Sequence, residues 1–555
     1  MAIDMPPEMP PVLLTPVMAE KLISAASPLF FRIRIGNQPV VVAELPHLSR
    51  EEVVRLAEAA SSPSQFIVNL AKVYRLKGNL LVQVLYTKHR GEVHVYAVQT
   101  TLGGIKGHEQ VSKHFKKLIG DQDLTLSEFD QAWVMADLAA RRRGVSYRVT
   151  YTTTPDATET ILNFERHNIE RDAHQFTVDL GNQGNRFAGR EFAGLGWRYW
   201  SKWSDEFTLD YIQALSDKAY EEVDTSYHGV VAGWNRPIGS GLYGLEVIRT
   251  EYESSLMQEI FTSALPGELC VLLPDTPACA VGDTEQETAG LDADTTVLSL
   301  SGEHVLASGP DRRWILSEKL SAVSDRVEDV VRGEAIVEER YNKAALNLKY
   351  MYGGSGREGH VALGLTGGFG DEASGSFQQN NSQLSPEQQA VSPQKRTPKF
   401  FQTAVSLRFK FNLAPWIGLD LKTDGQMSND QQVPQLEHFV LGGMERMSAY
   451  LPGVLVGDTG YHAILSLGGN GRPDSLFDIT PSVFIEHGSV RYEDAGGDAG
   501  KPRSISDAGV RITARIGKAS NLELIAARPI GDGDIPEVDL EAAEVNFYAR
   551  LKFRF

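Results

Sequence analysis

The sequence predicts a transmembrane β-barrel of 16 antiparallel strands behind two small α+β domains. Three observations carry that prediction. The last twelve residues, Glu544 to Phe555, alternate strictly and stop on an aromatic. From Phe176 onward the helical period gives way to strand candidates, and the connections between them alternate between tight turns and long polar stretches.

The N-terminal part mixes helices and strands. Residues 1–28 open with MAIDMPPEMPPVLLTPV, which has neither the basic n-region nor the sustained apolar run of a signal peptide. Within them TPVMAEKLISAAS, residues 15–27, has a proline near its start and enough length for about three helical turns. Residues 29–107 read as a first small domain. FFRIRIGNQPVVVAEL gives two strands, and SREEVVRLAEAA a serine-capped helix with Val53, Val54 and Leu56 at helical spacing. SQFIVNLAKVYRLKGN gives a second helix closed by Gly78, and LLVQVLYTKHRGEVHVYAV a hairpin turning near Arg90 and Gly91. Residues 108–167 repeat the plan in shorter form: helices in VSKHFKKLIG and LTLSEFDQAWVMADLAARR, then a hairpin turning at Pro155 and Asp156.

Residues 168–555 are assigned to the barrel. Strand candidates fall near 174–182, 190–203, 206–214, 225–237, 241–254, 295–307, 312–324, 336–352, 358–369, 399–412, 416–427, 460–468, 475–492, 504–516, 521–530 and 544–555. Turns such as 237–241, 309–312, 353–357 and 412–415 are short, whereas 255–294, 371–399 and 428–459 are long and polar. A soluble sandwich has no reason to sort its loops by length between two ends, but a membrane barrel does. Single strands repeat the two-faced chemistry. Val405, Leu407, Phe409 and Phe411 oppose Ser406, Arg408 and Lys410; Leu346, Leu348 and Tyr350 oppose Asn347 and Lys349. In the last strand Phe547, Ala549, Leu551, Phe553 and Phe555 oppose Tyr548, Arg550, Lys552 and Arg554. Turning such cations toward lipid would cost about 2–4 kcal/mol each at the midplane, so the register is strongly fixed.

Composition neither supports nor opposes this. A hydrophobic fraction of 42% and a mean hydropathy of -0.23 look soluble, yet barrel strands spend half their positions on polar side chains. A net charge of -18 argues against nucleic acid. The two cysteines, Cys270 and Cys279, lie nine apart around prolines, which favours a local disulfide over two free thiols; no ligand spacing suggests a metal. No metalloprotease helix, nucleophile elbow or phosphate loop is present, so neither catalysis nor a cofactor is expected.

This arrangement resembles the TpsB transporters of two-partner secretion, a branch of the superfamily that includes the barrel-assembly proteins, over about residues 29–555. In that family the small modules are POTRA domains. Asn182, Gly184, Gly189 and Arg190 resemble its barrel-entrance motif. Gly442, Gly443, Gly457, Asp458, Gly460 and Tyr461 resemble its sixth extracellular loop. The V-R-G-Y centre of that loop reads Met447, Ser448, Ala449 and Tyr450, without the arginine; Arg446 lies two residues earlier. Phe484, Glu486 and Gly488 match the partner motif F-x-D-x-G of barrel strand 13, with glutamate for aspartate.

The resemblance implies that the sixth loop folds into the barrel and that Arg446 pairs with Glu486, because a guanidinium and a carboxylate in a confined lumen fix one geometry. It implies a plug helix at 15–27, against which stands the short tether to the first small domain; docking beside that domain is the alternative. It also implies that an unfolded exoprotein adds a strand to an open edge at Leu80, Leu81, Val82, Val84 and Tyr86 before crossing the lumen without nucleotide. The expected setting is the bacterial outer membrane, with the small domains periplasmic, the long loops extracellular, lipid and lipopolysaccharide around the barrel, and a monomeric chain. An assembly factor of the same superfamily and a passive porin or surface antigen are the alternatives.

Overall fold

The computed structural model describes residues 3–25, 31–43, 45–154, 158–169, 171–184, 190–215, 225–263, 282–309, 311–330, 333–354, 356–374, 396–471, 476–493, 500–517, 519–531 and 544–555. The first small domain comprises β1 (Val12–Leu13), α1 (Pro16–Ala25), β2 (Phe31–Ile35), β3 (Gln38–Val42), α2 (Arg50–Glu58), α3 (Pro63–Leu76), β4 (Val82–His89) and β5 (Glu92–Gln99). Local sequence explains the boundaries. Ser49 and Glu52 close a reciprocal capping box on α2, Ser62 caps α3 with Pro63 at its first turn, and Arg90 and Gly91 take the positive φ values of a two-residue hairpin turn. Phe66, Leu70 and Tyr74 of α3 pack on Val40, Val42, Val84 and Val95 of the sheet.

The second small domain follows as β6 (Thr101–Lys106), α4 (Glu109–Phe115), α5 (Leu126–Arg142), β7 (Val145–Thr153) and β8 (Glu159–Asn168). Its sheet order is β6-β8-β7, so Thr101–Lys106 belongs here and the boundary drawn at 107/108 moves to about residue 100. The predicted turn at 155–156 lies outside the described residues.

Two expectations about the N-terminus are corrected. The edge at 80–86 is not wholly open: β1 pairs in parallel with β4 at Leu85 and Tyr86, and the Leu14 amide donates to the Tyr86 carbonyl. Leu80 and Leu81 belong to the core of the second small domain, while Val82 and Val84 face the core of the first. Nor does 15–27 plug the barrel. Leu14 and Ala19 pack with Leu85 and Tyr96 on the first sheet, because the small apolar face of α1 finds an uncovered sheet surface a few residues away. Residues 3–14 also reach the second sheet. Ile3 bridges Tyr147 of β7, its amide donates to Asp137 at 2.8 Å, and its carbonyl accepts from Trp133 at 2.9 Å.

The barrel strands are β9 (His174–Gly181), β10 (Phe192–Trp200), β11 (Glu206–Ala214), β12 (Thr225–Ile238), β13 (Gly241–Ser263), β14 (Gly282–Gly309), β15 (Arg312–Asp329), β16 (Glu334–Gly354), β17 (Arg357–Ser374), β18 (Phe401–Ala414) and β19 (Ile417–Ser428). A short pair, β20 (Phe439–Leu441) and β21 (Leu455–Gly457), lies within the next connection. Then come β22 (Thr459–Gly469), β23 (Phe477–Arg491), β24 (Arg503–Ile516), β25 (Ser520–Gly531) and β26 (Phe547–Arg554). Excluding β20 and β21, these 16 strands close into one antiparallel cylinder, β26 pairing with β9, and each overlaps one of the predicted segments. The prediction of a loop over 255–294 is corrected: β13 and β14 continue as a ladder to Ser263 and Gly282.

Leu195, Leu320, Leu346, Leu363, Val405 and Phe547 are exposed on the outside, whereas the residues between them turn inward. An exposed apolar belt on a closed cylinder finds its low-energy solvent in hydrocarbon. Among the described residues no helix is long and apolar enough to cross a membrane, which says nothing about strands. The second small domain sits against the short-turn end. Arg142 of α5 reaches Ser204, Asn235 and Glu206, Gln131 donates to the Val305 carbonyl at 2.7 Å, and the His114 imidazole meets the Gly239 carbonyl at 2.6 Å.

Candidate functional site: a loop held inside the barrel

The connection from Asn429 to Asp458 folds into the cylinder, where its hydrophobic side chains meet those of the wall. Met444, Met447, Tyr450 and Leu451 are buried with Phe484, Ile505, Ile525 and Tyr548. Glycines make this approach feasible. Gly442 has φ +108, and a Cβ there would sit 2.0 Å from the Leu451 carbonyl oxygen; a Cβ at Gly488 would meet Leu441 at 2.8 Å. Gly443 also has a positive φ, and Gly460 lies under Phe439.

The tip is held by carboxylates. Met447, the only non-glycine of the described loop tip with a positive φ (+68), turns three successive amides toward the wall. Glu486 on β23 is fully buried and accepts from the Met447 amide, from the Ser448 amide at 3.2 Å and from the Ser448 hydroxyl at 2.9 Å. His462 on β22 lies 3.2 Å from the same carboxylate. Asp507, opposite Glu486 on β24 and also fully buried, accepts from the Ala449 amide at 2.9 Å. Arg511 donates to the Met444 carbonyl at 2.9 Å, and Tyr548 on the last strand donates to the Tyr450 carbonyl at 2.7 Å.

The base of the loop has its own acceptor. Asp458 is fully buried, accepts from the amides of Val433 at 2.8 Å and Glu493 at 2.9 Å, and lies 3.4 Å from His438. Alongside, Glu437 accepts from Tyr341 at 2.7 Å and from Lys343, and Glu339 accepts from the Gln435 amide at 2.9 Å.

The predicted pairing of Arg446 with Glu486 is corrected by this geometry. The Arg446 guanidinium lies 4.5 Å over the Phe439 ring and reaches only the Val440 carbonyl, at 3.5 Å; among the described residues it makes no ion pair with Glu486. The turn at Met447 presents main-chain amides where the V-R-G-Y pattern has a guanidinium, and its three oriented N–H groups donate to the buried carboxylates, two to Glu486 and one to Asp507 Oδ2, while Asp507 Oδ1 has no hydrogen-bond partner among the described residues. Phe484 contributes packing beneath Arg511, with 5.5 Å from the guanidinium to its ring. Sequence reasoning missed Asp507, His462 and Ser448. Asp507 occupies an inward position in SISDAGV, where a lumen polar group is unremarked, and only its placement opposite Glu486 gives it meaning.

Other predicted residues fall elsewhere. Leu80, Leu81, Val82, Val84 and Tyr86 are apart from this site, in the small domains. Phe547, Leu551, Phe553 and Phe555 lie on the terminal strand beside β9, where Arg550 forms a bidentate pair with Asp179 and Asn182 exchanges hydrogen bonds with Ala549. Cys270 and Cys279 lie outside the described residues. Among the described residues no group of His, Cys, Asp and Glu has the arrangement of a metal site.

Neither a protein-family model nor a curated protein matches the sequence. Solved structures do match the fold. CdiB from Escherichia coli is similar at a TM-score of 0.65 and 13% identity, covering 97% of this chain and 96% of that one. CdiB from Acinetobacter baumannii is similar at a TM-score of 0.57 and 14% identity, covering 94% and 90%. Two small domains and a barrel thus share one architecture with these proteins at sequence identities too low for motif inheritance.

Proposed function

We propose that this chain, sharing its fold with the two CdiB proteins, is an outer-membrane transporter that secretes a partner exoprotein by the two-partner route. The observation that carries the reading is the combination at the two ends of one pore. The second small domain is docked on the short turns, and a long loop is folded into the lumen on hydrogen bonds instead of being threaded by covalent structure. Such a loop can be displaced without breaking the cylinder. The short-turn end faces the periplasm and the long connections face outward.

Capture follows the sheet edge. An unfolded segment adds to β4 by taking the place of β1, exchanging the main-chain bonds that Leu14 makes with Tyr86 for its own. The passenger then crosses a wet lumen, and folding outside biases direction without nucleotide. The residues here bind, hold and release; they do no catalysis.

Deleting the gene and comparing culture fluid tests this. A large exoprotein is lost from the medium and restored by the wild-type chain. Depletion of other outer-membrane barrels with the exoproteins unchanged would instead mark an assembly factor, and an unchanged protein profile a passive pore.

A further inference from the structure

The inner wall carries a row of basic groups that the loop lock does not use. Arg313 on β15 stands opposite Met351, Met351 opposite His360, His360 opposite Arg408, and Arg408 opposite Lys422 on β19. Four of these five in-register positions are basic, in a chain of net charge -18. Basic groups face each other directly at His360–Arg408 and Arg408–Lys422, and like charges so placed on neighbouring strands repel, so this end of the row opposes the sheet that carries it. Local conflicts of that kind concentrate at functional positions.

A cavity of about 350 Å³ opens in front of Arg313, His360, Arg408 and Lys410, with Glu358 also on its lining, 3.6 Å from Lys410. Its rim includes Gly309 and Asp311, in the turn next to Ser308, which contacts Asp130 of the second small domain. It therefore lies at the end of the lumen that the small domains face. The row itself holds no acid, and every partner comes from outside it: Asp420 to Arg408 at 2.7 Å, Asp424 to Lys422 at 3.9 Å and Asp130 to Arg313 at 3.7 Å. Among the described residues His360 has no hydrogen bond or ion pair, although Lys349, Arg408 and Lys422, and in the opposite sense Asp424, act on it electrostatically.

One further contact shows what the row accepts. Glu445, at the tip of the inserted loop and strongly exposed, places a carboxylate 3.7 Å from Lys422. We propose that the row Arg313–His360–Arg408–Lys422 is a binding track for carboxylate side chains of an extended acidic polypeptide entering the lumen, for which Glu445 is the internal stand-in. This rests on reading the lumen as a polypeptide conduit. Weak, exchangeable contacts of this kind suit conduction, since a passenger must be held and also released. Withdrawal of the loop removes Glu445 and leaves Lys422 with Asp424 alone, so the track gains a place for a carboxylate when the lumen opens.

Fluorescently labelled poly-L-glutamate is the probe, with poly-L-lysine as comparison, in anisotropy titrations of the detergent-purified full chain. The triple variant Arg313→Gln/Arg408→Gln/Lys422→Gln is expected to bind poly-L-glutamate at least about tenfold more weakly than wild type. The charge-keeping Arg313→Lys/Arg408→Lys variant retains binding within about threefold, and Glu445→Gln binds more tightly. Heat-modifiable migration on a gel verifies that each variant is a folded barrel. Equal affinity in wild type and triple variant, equal affinity for poly-L-lysine, or loss in the charge-keeping variant overturns the track. The titration needs no secretion, so its failure is distinct from an unchanged exoprotein profile in the gene deletion.

Discussion

At the residue scale the site is an acceptor problem. Two fully buried carboxylates are tolerable because main-chain amides, a hydroxyl and an imidazole surround them. Glu486→Gln keeps the shape and removes the charge, and is expected to cost the loop about 1–3 kcal/mol of anchoring. Limited proteolysis within 438–458 should accelerate while heat-modifiable migration is retained. Asp507→Asn should act in the same direction. Arg446→Ala, by contrast, removes a half-exposed side chain lying on Phe439 and should change loop protection by less than about 0.5 kcal/mol. An Arg446 variant as sensitive as Glu486→Gln would contradict the geometry. Gly442→Ala would drive a methyl into the Leu451 carbonyl and should expose the loop even with both carboxylates intact. Much of this was legible in advance. The double glycine, Asp458, Gly460 and the Phe484–Glu486–Gly488 pattern all lie where the loop meets the wall. The partner of Glu486 was not legible, because it depends on a positive φ at Met447 that no side-chain pattern announces.

Elements are read from period and length, and both have limits. Sixteen strands were recoverable because alternation persists through each and the connections sort by length. Two residues of β1 have no period, so the covering of β4 was invisible in the sequence. Removing residues 1–14 should uncover that edge, and an extended polypeptide should then bind the small domains more tightly. Fluorescence anisotropy with an unfolded exoprotein fragment checks it, and unchanged affinity would show that β1 does not compete. A second prediction concerns α4. Burial lowers the affinity of His114 for a proton below the ordinary imidazole value, outweighing the opposite pull of the Gly239 carbonyl that it meets. Its contribution to docking is thus present above about pH 6.5 and is lost as pH falls through the lower folded value. Hydrogen exchange over 109–115 should rise on acidification, and His114→Gln should flatten that dependence.

For the whole molecule the join between the second small domain and the barrel decides whether the two move as one. Arg142 is buried and ties α5 to the β10–β11 turn at Ser204, to the start of β11 at Glu206 and to β12 at Asn235. Arg142→Ala leaves Glu206 without that partner and is expected to cost about 3 kcal/mol, on the scale of a broken buried pair. Small-angle scattering should show the small domains swinging away, and an unchanged profile would mean that Gln131 and His114 hold them unaided. The barrel rim is uneven at the opposite end. At about 3.4 Å per residue, the 28 residues of β14 run roughly 95 Å, of which a tilt near 40° leaves about 70 Å of height against about 30 Å of hydrocarbon. On the same reckoning the nine residues of β10 rise only about 23 Å, short of the hydrocarbon thickness. A chain emerging beside β13 and β14 therefore keeps a parapet at its back for about another 40 Å, while one emerging beside β9 and β10 is in open solvent at once.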